Sequence, residues 1–326
     1  MSRDLRALPK AHLHIHLEAT VRPGTLAEFA AASGVPVPTT IEFADFTEFI
    51  ESYLALAALI DSPERLARVV AEAVADAAAD GAVAIELATT PTWYEDMYGS
   101  AEAAVEAICG YAAEAAARHG LWAGVIVAID RTAGPEHAMA MATTAVKFAG
   151  RGVVGLGLHA EERGFPAAWF GEPFALAKEA GLLAVPHAGE LVGAQSVREA
   201  LDVLGADRVQ HGVRSVEDPA LVAEIAARGV CLDVCPTSNV LLGVFPSLAD
   251  HPLPGLLAAG VACSINADDP TLFGPGLLAE YEVARSGLGL DDAALAACAR
   301  TSVTASAAPD AVKDGALAGI AAWLAG

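Results

Sequence analysis

Short runs rich in Val, Ile and Leu recur eight times along this 326-residue chain, separated by longer, Ala-rich stretches of helical period. Apolar runs of this kind are buried on both faces, and strands joined through helices pair in parallel rather than as hairpins. The runs are Ala11–Leu17, Val83–Leu87, Trp122–Ala128, Val153–Leu158, Leu182–His187, Arg208–His211, Val230–Val234 and Val261–Asn266. Between them fall Pro63–Ala79, Ala101–His119, Pro135–Ala149, Trp169–Ala180, Ser196–Leu204, Pro219–Arg228 and Pro252–Ala259, several of which open on a Pro or a Ser cap. A chain of this length with eight such units predicts an α/β fold, a (β/α)8 TIM barrel. No repeat, low-complexity linker or charge block marks a boundary, so residues 1–326 are read as one domain. Two segments exceed a minimal barrel: an insertion after strand one, Pro23–Ile60, and a helical tail, Gly276–Gly326. In the insertion Phe46, Phe49 and Tyr53 stand at i, i+3 and i+7, with Phe43 just before them. That stripe suits either core packing or a lid over a pocket.

Charge narrows the partners. Nineteen Lys and Arg against 41 Asp and Glu leave a net charge of −22, with no reservoir of cations to neutralise phosphates. Neither a nucleic acid nor an anionic membrane surface is expected as a partner, and a small molecule is. The apolar stretch Leu253–Ile265 is broken by Pro254 and is shorter than the ~18 residues of a membrane span. Met1–Arg6 carries charge with no apolar run behind it, which predicts a cytoplasmic location without a secretory signal. Five cysteines, odd in number and without C-x-x-C spacing, read as buried thiols rather than as disulfides or a thiolate metal site.

The polar residues that stand out fall at the C-terminal ends of predicted strands, which in a parallel barrel converge on one face. His14 and His16 end strand one, His187 ends strand five, His211 ends strand six, and Asp268 and Asp269 follow strand eight. In His14-Ile15-His16 the period of two turns both imidazoles to the same side. Three imidazoles, His14, His16 and His187, with the Asp268 carboxylate form a donor set for a divalent transition metal that leaves a position for water, as catalytic zinc requires. Such an ion lowers the pKa of a bound water from about 15.7 towards 7. Glu190, three residues beyond His187 at a Gly turn, is placed as a proton donor. His211 is either a satisfied core histidine or a base or electrostatic partner to the water. His12 shares the parity of His14 and His16, and both a substrate contact and plain burial fit it. His119, His137 and His251 have no partner in sequence and are expected at the surface.

Five motifs then occur in order: Pro9-Lys10-Ala11-His12-Leu13-His14-Ile15-His16-Leu17-Glu18, His187-Ala188-Gly189-Glu190, Gln210-His211-Gly212, Cys235-Pro236-Thr237-Ser238-Asn239 and Asn266-Ala267-Asp268-Asp269-Pro270. In order and spacing the chain resembles the adenosine and adenine deaminase family of the metal-dependent amidohydrolase superfamily, from about Leu8 to Ala307. The resemblance implies a barrel with one zinc ion (Zn2+) held by His14, His16, His187 and Asp268. It implies that Glu190 protonates purine N1, that His211 orients and deprotonates the attacking water, and that Asp269 accepts hydrogen bonds from that water and from the N7 side of the ring. Water adds at C6 and ammonia leaves, and Glu190 needs a raised pKa to act as a donor near neutral pH.

Departures from the family pattern bear on the substrate. Where adenosine deaminases read H-x-H-L-D-G, with the Asp on the ribose 5′-hydroxyl, this chain has Leu17-Glu18-Ala19. The glycine whose N–H meets purine N3 is Ala160, and Glu86-Leu87-Ala88-Thr89-Thr90-Pro91 lacks the family's Arg. The substrate-binding set implied by the resemblance is His16, Glu18, Ala160 and Asp269. The expected substrate is a 6-aminopurine, adenosine, a 5′-modified adenosine such as aminodeoxyfutalosine, or adenine. Two alternatives share these residues: another hydrolase of the superfamily on a mononuclear zinc, and a catalytically silent purine binder. Lys178, the one candidate for a carbamylated two-metal centre, falls in a predicted helix.

Overall fold

A computed structural model describes residues 3–37 and 43–326 of the chain. Its eight strands are β1 Lys10–His12, β2 Ala82–Thr89, β3 Trp122–Asp130, β4 Val153–His159, β5 Leu183–Ala188, β6 Arg208–His211, β7 Cys231–Val234 and β8 Ala262–Ile265. They pair in parallel and in sequence order, β1 through β8, with helices between them, as a (β/α)8 barrel requires.

Strand one is shorter than its apolar run suggested, ending at His12 instead of Leu17. The reason is the seam with β8. The Asn266 side-chain carbonyl accepts the N–H groups of Leu13 at 2.8 Å and His14 at 3.1 Å, which takes them out of a regular ladder. Beyond it Ile15 bridges to Asp268, His16 N–H donates to the Asp268 carbonyl, and Asp268 N–H donates to the His14 carbonyl. The segment carrying His14 and His16 is thereby stitched to the segment carrying Asp268.

The insertion folds as helices α1, Pro23–Ser33, and α2, Phe46–Ala57. Helix α3, Pro63–Ala79, then leads back to β2. Residues 38–42 of the insertion lie outside the described residues. The Asp45 side chain accepts the N–H groups of Thr47 and Glu48 and so starts α2, while the Ser62 hydroxyl accepts that of Arg65 in α3. The expected helical tail forms Leu277–Ser286, Asp292–Ala305 and Asp310–Ala325. Its second helix packs against β8 and β1, with the Ser302 hydroxyl accepting Ala11 N–H at 2.9 Å. No helix of the described residues is long and apolar enough to cross a membrane.

Inside the barrel, below the strand ends, Arg208 donates to Glu86 at 2.5 Å and to Asp233 at 2.9 Å, with all three side chains at most 1% exposed. Removing one partner of such a group leaves unpaired charge in the interior. Arg208→Met, which strands two carboxylates, is expected to lower the unfolding free energy by about 3–5 kcal/mol, read from the denaturant midpoint at neutral pH.

Candidate active site

The strand ends bring His14, His16, His187 and Asp268 together. His14 Nε2 lies 3.1 Å from His187 Nε2 and 3.1 Å from Asp268 Oδ1, and His16 Nε2 lies 3.2 and 3.3 Å from the same two atoms. Four donors each about 2.0–2.1 Å from one tetrahedrally bound ion would stand about 3.3 Å apart. Facing imidazole nitrogens at this distance have no mutual attraction unless a proton or a metal lies between them. Two groups of buried donor atoms that share Asp268, one from His14, His187, His211 and Asp268 and one from His16, Asp268 and Asp269, lie close enough together to hold a metal ion.

The surroundings prepare them for that. His14 Nδ1 donates to the Asp233 carbonyl at 3.2 Å, which fixes the tautomer with the Nε2 lone pair facing inward. Ser238 Oγ donates to Asp268 Oδ2 at 2.7 Å and turns Oδ1 towards the histidines. Burial, with the His14 and His16 rings beside it, pushes His187 well below the ordinary imidazole value, which favours the neutral ring with one nitrogen lone pair free to bind. Arg131, itself buried, donates to the His187 carbonyl at 2.6 Å.

Glu190 and His211 face each other across this cluster, with Oε1 and Nε2 3.5 Å apart. Burial first, and then the Asp268 and Glu162 carboxylates, push Glu190 well above the usual carboxylate range, the direction a proton donor near neutral pH requires. The loop that carries it is held by Glu162. That carboxylate accepts the N–H groups of Gly189, Glu190, Leu191 and Val192 at 2.7 to 3.2 Å and also the Ser196 hydroxyl. Asp269 is buried beside Asp268, with its Oδ1 unpartnered.

Backbone strain gathers here as well. Ala160, His211 and Asp268 are the non-glycine residues with positive φ among those described, at 71°, 62° and 60°. Such conformations cost about 1–3 kcal/mol each and persist where the surrounding structure imposes them. At Ala160 the chain keeps a conformation that glycine adopts freely, with a methyl group added.

Above the cluster opens a cavity of about 220 Å³. Its upper wall is aromatic. Phe46, Phe49 and Tyr53 from α2 are buried and line the cavity, so the stripe in the insertion is at once packed and pocket-forming. Trp93 stacks on His159 with an interplanar angle of 21° and meets Tyr53 edge-on. His16, Ala160, His187, Glu190, His211, Asp268 and Asp269 also line it. Glu18 does not: its carboxylate accepts the hydroxyls of Tyr53 at 2.9 Å, Thr89 at 2.6 Å and Tyr94 at 2.8 Å, so Tyr53 stands between Glu18 and the cavity. His12 faces away as well, its Nε2 accepting Ala267 N–H at 3.2 Å. His251, expected at the surface, is 4% exposed and bonded to Asn239; its partner lies too far back in sequence for any local pattern to show it.

Comparison with known proteins agrees with this arrangement. The family model described as adenosine deaminase matches residues 9–323. The chain is 42% identical to a putative adenosine/adenine deaminase of Streptomyces virginiae, across 100% of this chain and 99% of that protein. It resembles the crystal structure of adenine deaminase from Arthrobacter aurescens, with a TM-score of 0.90, 31% identity and coverage of 98% and 100% of the two chains. It also resembles an amidohydrolase from Burkholderia ambifaria with bound zinc, with a TM-score of 0.85, 29% identity and coverage of 98% and 91%.

Proposed function

The chain belongs to the adenosine deaminase family and is a hydrolytic deaminase, and from that premise we propose that it removes the 6-amino group of a small, uncharged 6-aminopurine, free base or nucleoside. This reading rests on a buried Glu190, its carboxyl pushed up by burial and neighbouring carboxylates, set against a His and Asp donor cluster at the floor of an aromatic cavity.

In this reading His14, His16, His187 and Asp268 hold one zinc ion, a choice supported by the nitrogen and oxygen donors and by the zinc in the Burkholderia relative. A zinc ion held there makes water acidic enough to serve as a nucleophile near neutral pH. Glu190 donates its proton to ring nitrogen N1, which makes C6 electrophilic. His211 and Asp269 hold the attacking water against C6, and Asp269 also faces the N7 side. His16 packs against the bound ring, and the Ala160 N–H approaches N3. Water oxygen adds at C6 and ammonia departs.

The walls narrow the substrate. Phe49, Tyr53, Trp93 and His159 offer faces on which a purine stacks. No lysine or arginine of the described residues lines the cavity, whereas Asp130 and Glu161 do, and rim Arg163 is bound to Glu161 at 2.8 Å. A 5′-phosphate would meet carboxylates and no counter-charge, a juxtaposition that costs several kcal/mol. Adenosine monophosphate is therefore expected to show a kcat/KM at least about 100-fold below that of adenine or adenosine, whichever is the better substrate. Comparable values would contradict the reading. With the Glu18 carboxylate taken up by three hydroxyls, a ribose 5′-hydroxyl finds Tyr53 in its place, which favours adenine or a nucleoside altered at 5′ over adenosine itself. Five buried, unpaired cysteines support a reducing, cytoplasmic setting. The test is steady-state deamination by the zinc-loaded protein of adenine, adenosine, 5′-modified adenosines and adenosine monophosphate side by side.

A further inference from the structure

His211 is tied to two residues outside the cavity lining, Asn239 and His251, and each hydrogen bond in that chain settles the direction of the next. The chain starts at the backbone. Leu253 N–H, at the start of helix Leu253–Ala258, donates to His251 Nδ1 at 3.3 Å. A backbone N–H can only donate, so Nδ1 carries a lone pair and the proton of the neutral ring sits on Nε2. That Nε2 stands 3.1 Å from Asn239 Oδ1, which can only accept. The amide of Asn239 is thereby oriented, and its Nδ2, a donor only, lies 3.2 Å from His211 Nδ1. Nδ1 of His211 must accept, so the proton of the neutral His211 ring sits on Nε2, the nitrogen turned into the site 3.5 Å from Glu190 Oε1 and 3.8 Å from Asp268 Oδ2. Burial, which pushes His251 down to about 4, keeps the first ring neutral, as the chain requires. Phe245 packs edge-on to His251 and Asn239 is fully buried, so the links have little freedom to turn.

We infer that Asn239 and His251 are positioning residues that hold His211 as its Nε2–H tautomer, so that His211 serves the reaction as a hydrogen-bond donor to the attacking oxygen and not as the acceptor of its proton. The family resemblance implies the opposite direction. With Nε2 already protonated, the proton leaving the water passes to a carboxylate: Glu190, ionised once its own proton is on N1, lies beside His211 with Oε1 3.5 Å from Nε2. The kinetic consequence rests on the deaminase reading, whereas the tautomer is a property of the resting protein, so the two can fail separately.

The tautomer is read directly by long-range 15N–1H NMR of zinc-loaded protein labelled at histidine, with His211 assigned by comparison with His211→Gln. The expected spectrum shows His211 Nε2 protonated and Nδ1 unprotonated. Asn239→Asp offers acceptors to both rings and should shift the His211 proton to Nδ1, with kcat falling about 10–100-fold and KM changing much less. His251→Gln, which frees the Asn239 amide to turn, should give a mixture of tautomers and an intermediate kcat. It also keeps the question open to test should Asn239→Asp fail to fold. A wild-type spectrum with Nδ1 protonated overturns the inference whatever the variants do. So does an Asn239→Asp protein whose His211 tautomer has flipped while kcat stays at the wild-type value.

Discussion

Glu190→Gln is expected to lower kcat by about 10²–10⁴-fold while zinc remains bound at one ion per chain. Glutamine keeps the size of the side chain and a hydrogen-bond donor but has no acidic proton to place on the ring nitrogen. Glu162 holds the loop through the backbone N–H groups of Gly189 to Val192, which the substitution leaves intact, so a loss of activity would report chemistry rather than collapse. Because burial and the Asp268 and Glu162 carboxylates raise the pKa of Glu190, its active, protonated form persists above the usual carboxylate range. Activity should therefore fall as pH rises through that raised value, and this alkaline limb should be missing from whatever activity the Gln variant retains. Turnover near wild type with zinc in place would take Glu190 out of the mechanism.

Asp268→Ala should lose metal and turnover together, with turnover down by about 10³-fold or more, since a catalytic metal contributes several kcal/mol to the barrier. Its Oδ1 is the atom common to His14 and His16, at 3.1 and 3.3 Å, so without it the cluster offers imidazoles alone. The backbone of residue 268 makes the bonds that close the barrel seam and is retained in the variant, which protects the fold. Metal content measured by elemental analysis alongside kcat decides the matter. Stoichiometric zinc in the Ala protein would show that Asp268 is not a ligand.

The eight strands could be read from the sequence because a buried parallel strand needs a continuous apolar run and a crossover needs a helical period, and both are local patterns. The end of β1 could not, because Leu13 and His14 lose their ladder to the side chain of Asn266, some 250 residues away. The same division holds in the site. His14, His16, His187, Glu190, His211, Asp268 and Asp269 stand at or just beyond the ends of the apolar runs, and the structure brings them together at one cavity floor. The resemblance offered Glu18 as a substrate contact, and nothing near it in sequence announced the Tyr53, Thr89 and Tyr94 hydroxyls that surround it. Glu162 was visible only as one of two adjacent acids, since its partners are backbone N–H groups of a later loop. His251, an isolated histidine in a Pro-rich loop, carried no signal, and its burial against Asn239 is what ties it to the chemistry. Positive φ at Ala160 and His211 likewise arises from tertiary packing, not from residue type.

The most direct test of the account is to incubate the purified, zinc-loaded protein with adenine, adenosine and 5′-modified adenosines, following the ultraviolet change at the purine and the ammonia released. At least one uncharged 6-aminopurine is expected to be converted to its 6-oxo product with one ammonia per turnover, and chelation to abolish the reaction. Zinc-loaded, folded protein that releases ammonia from none of them would contradict it.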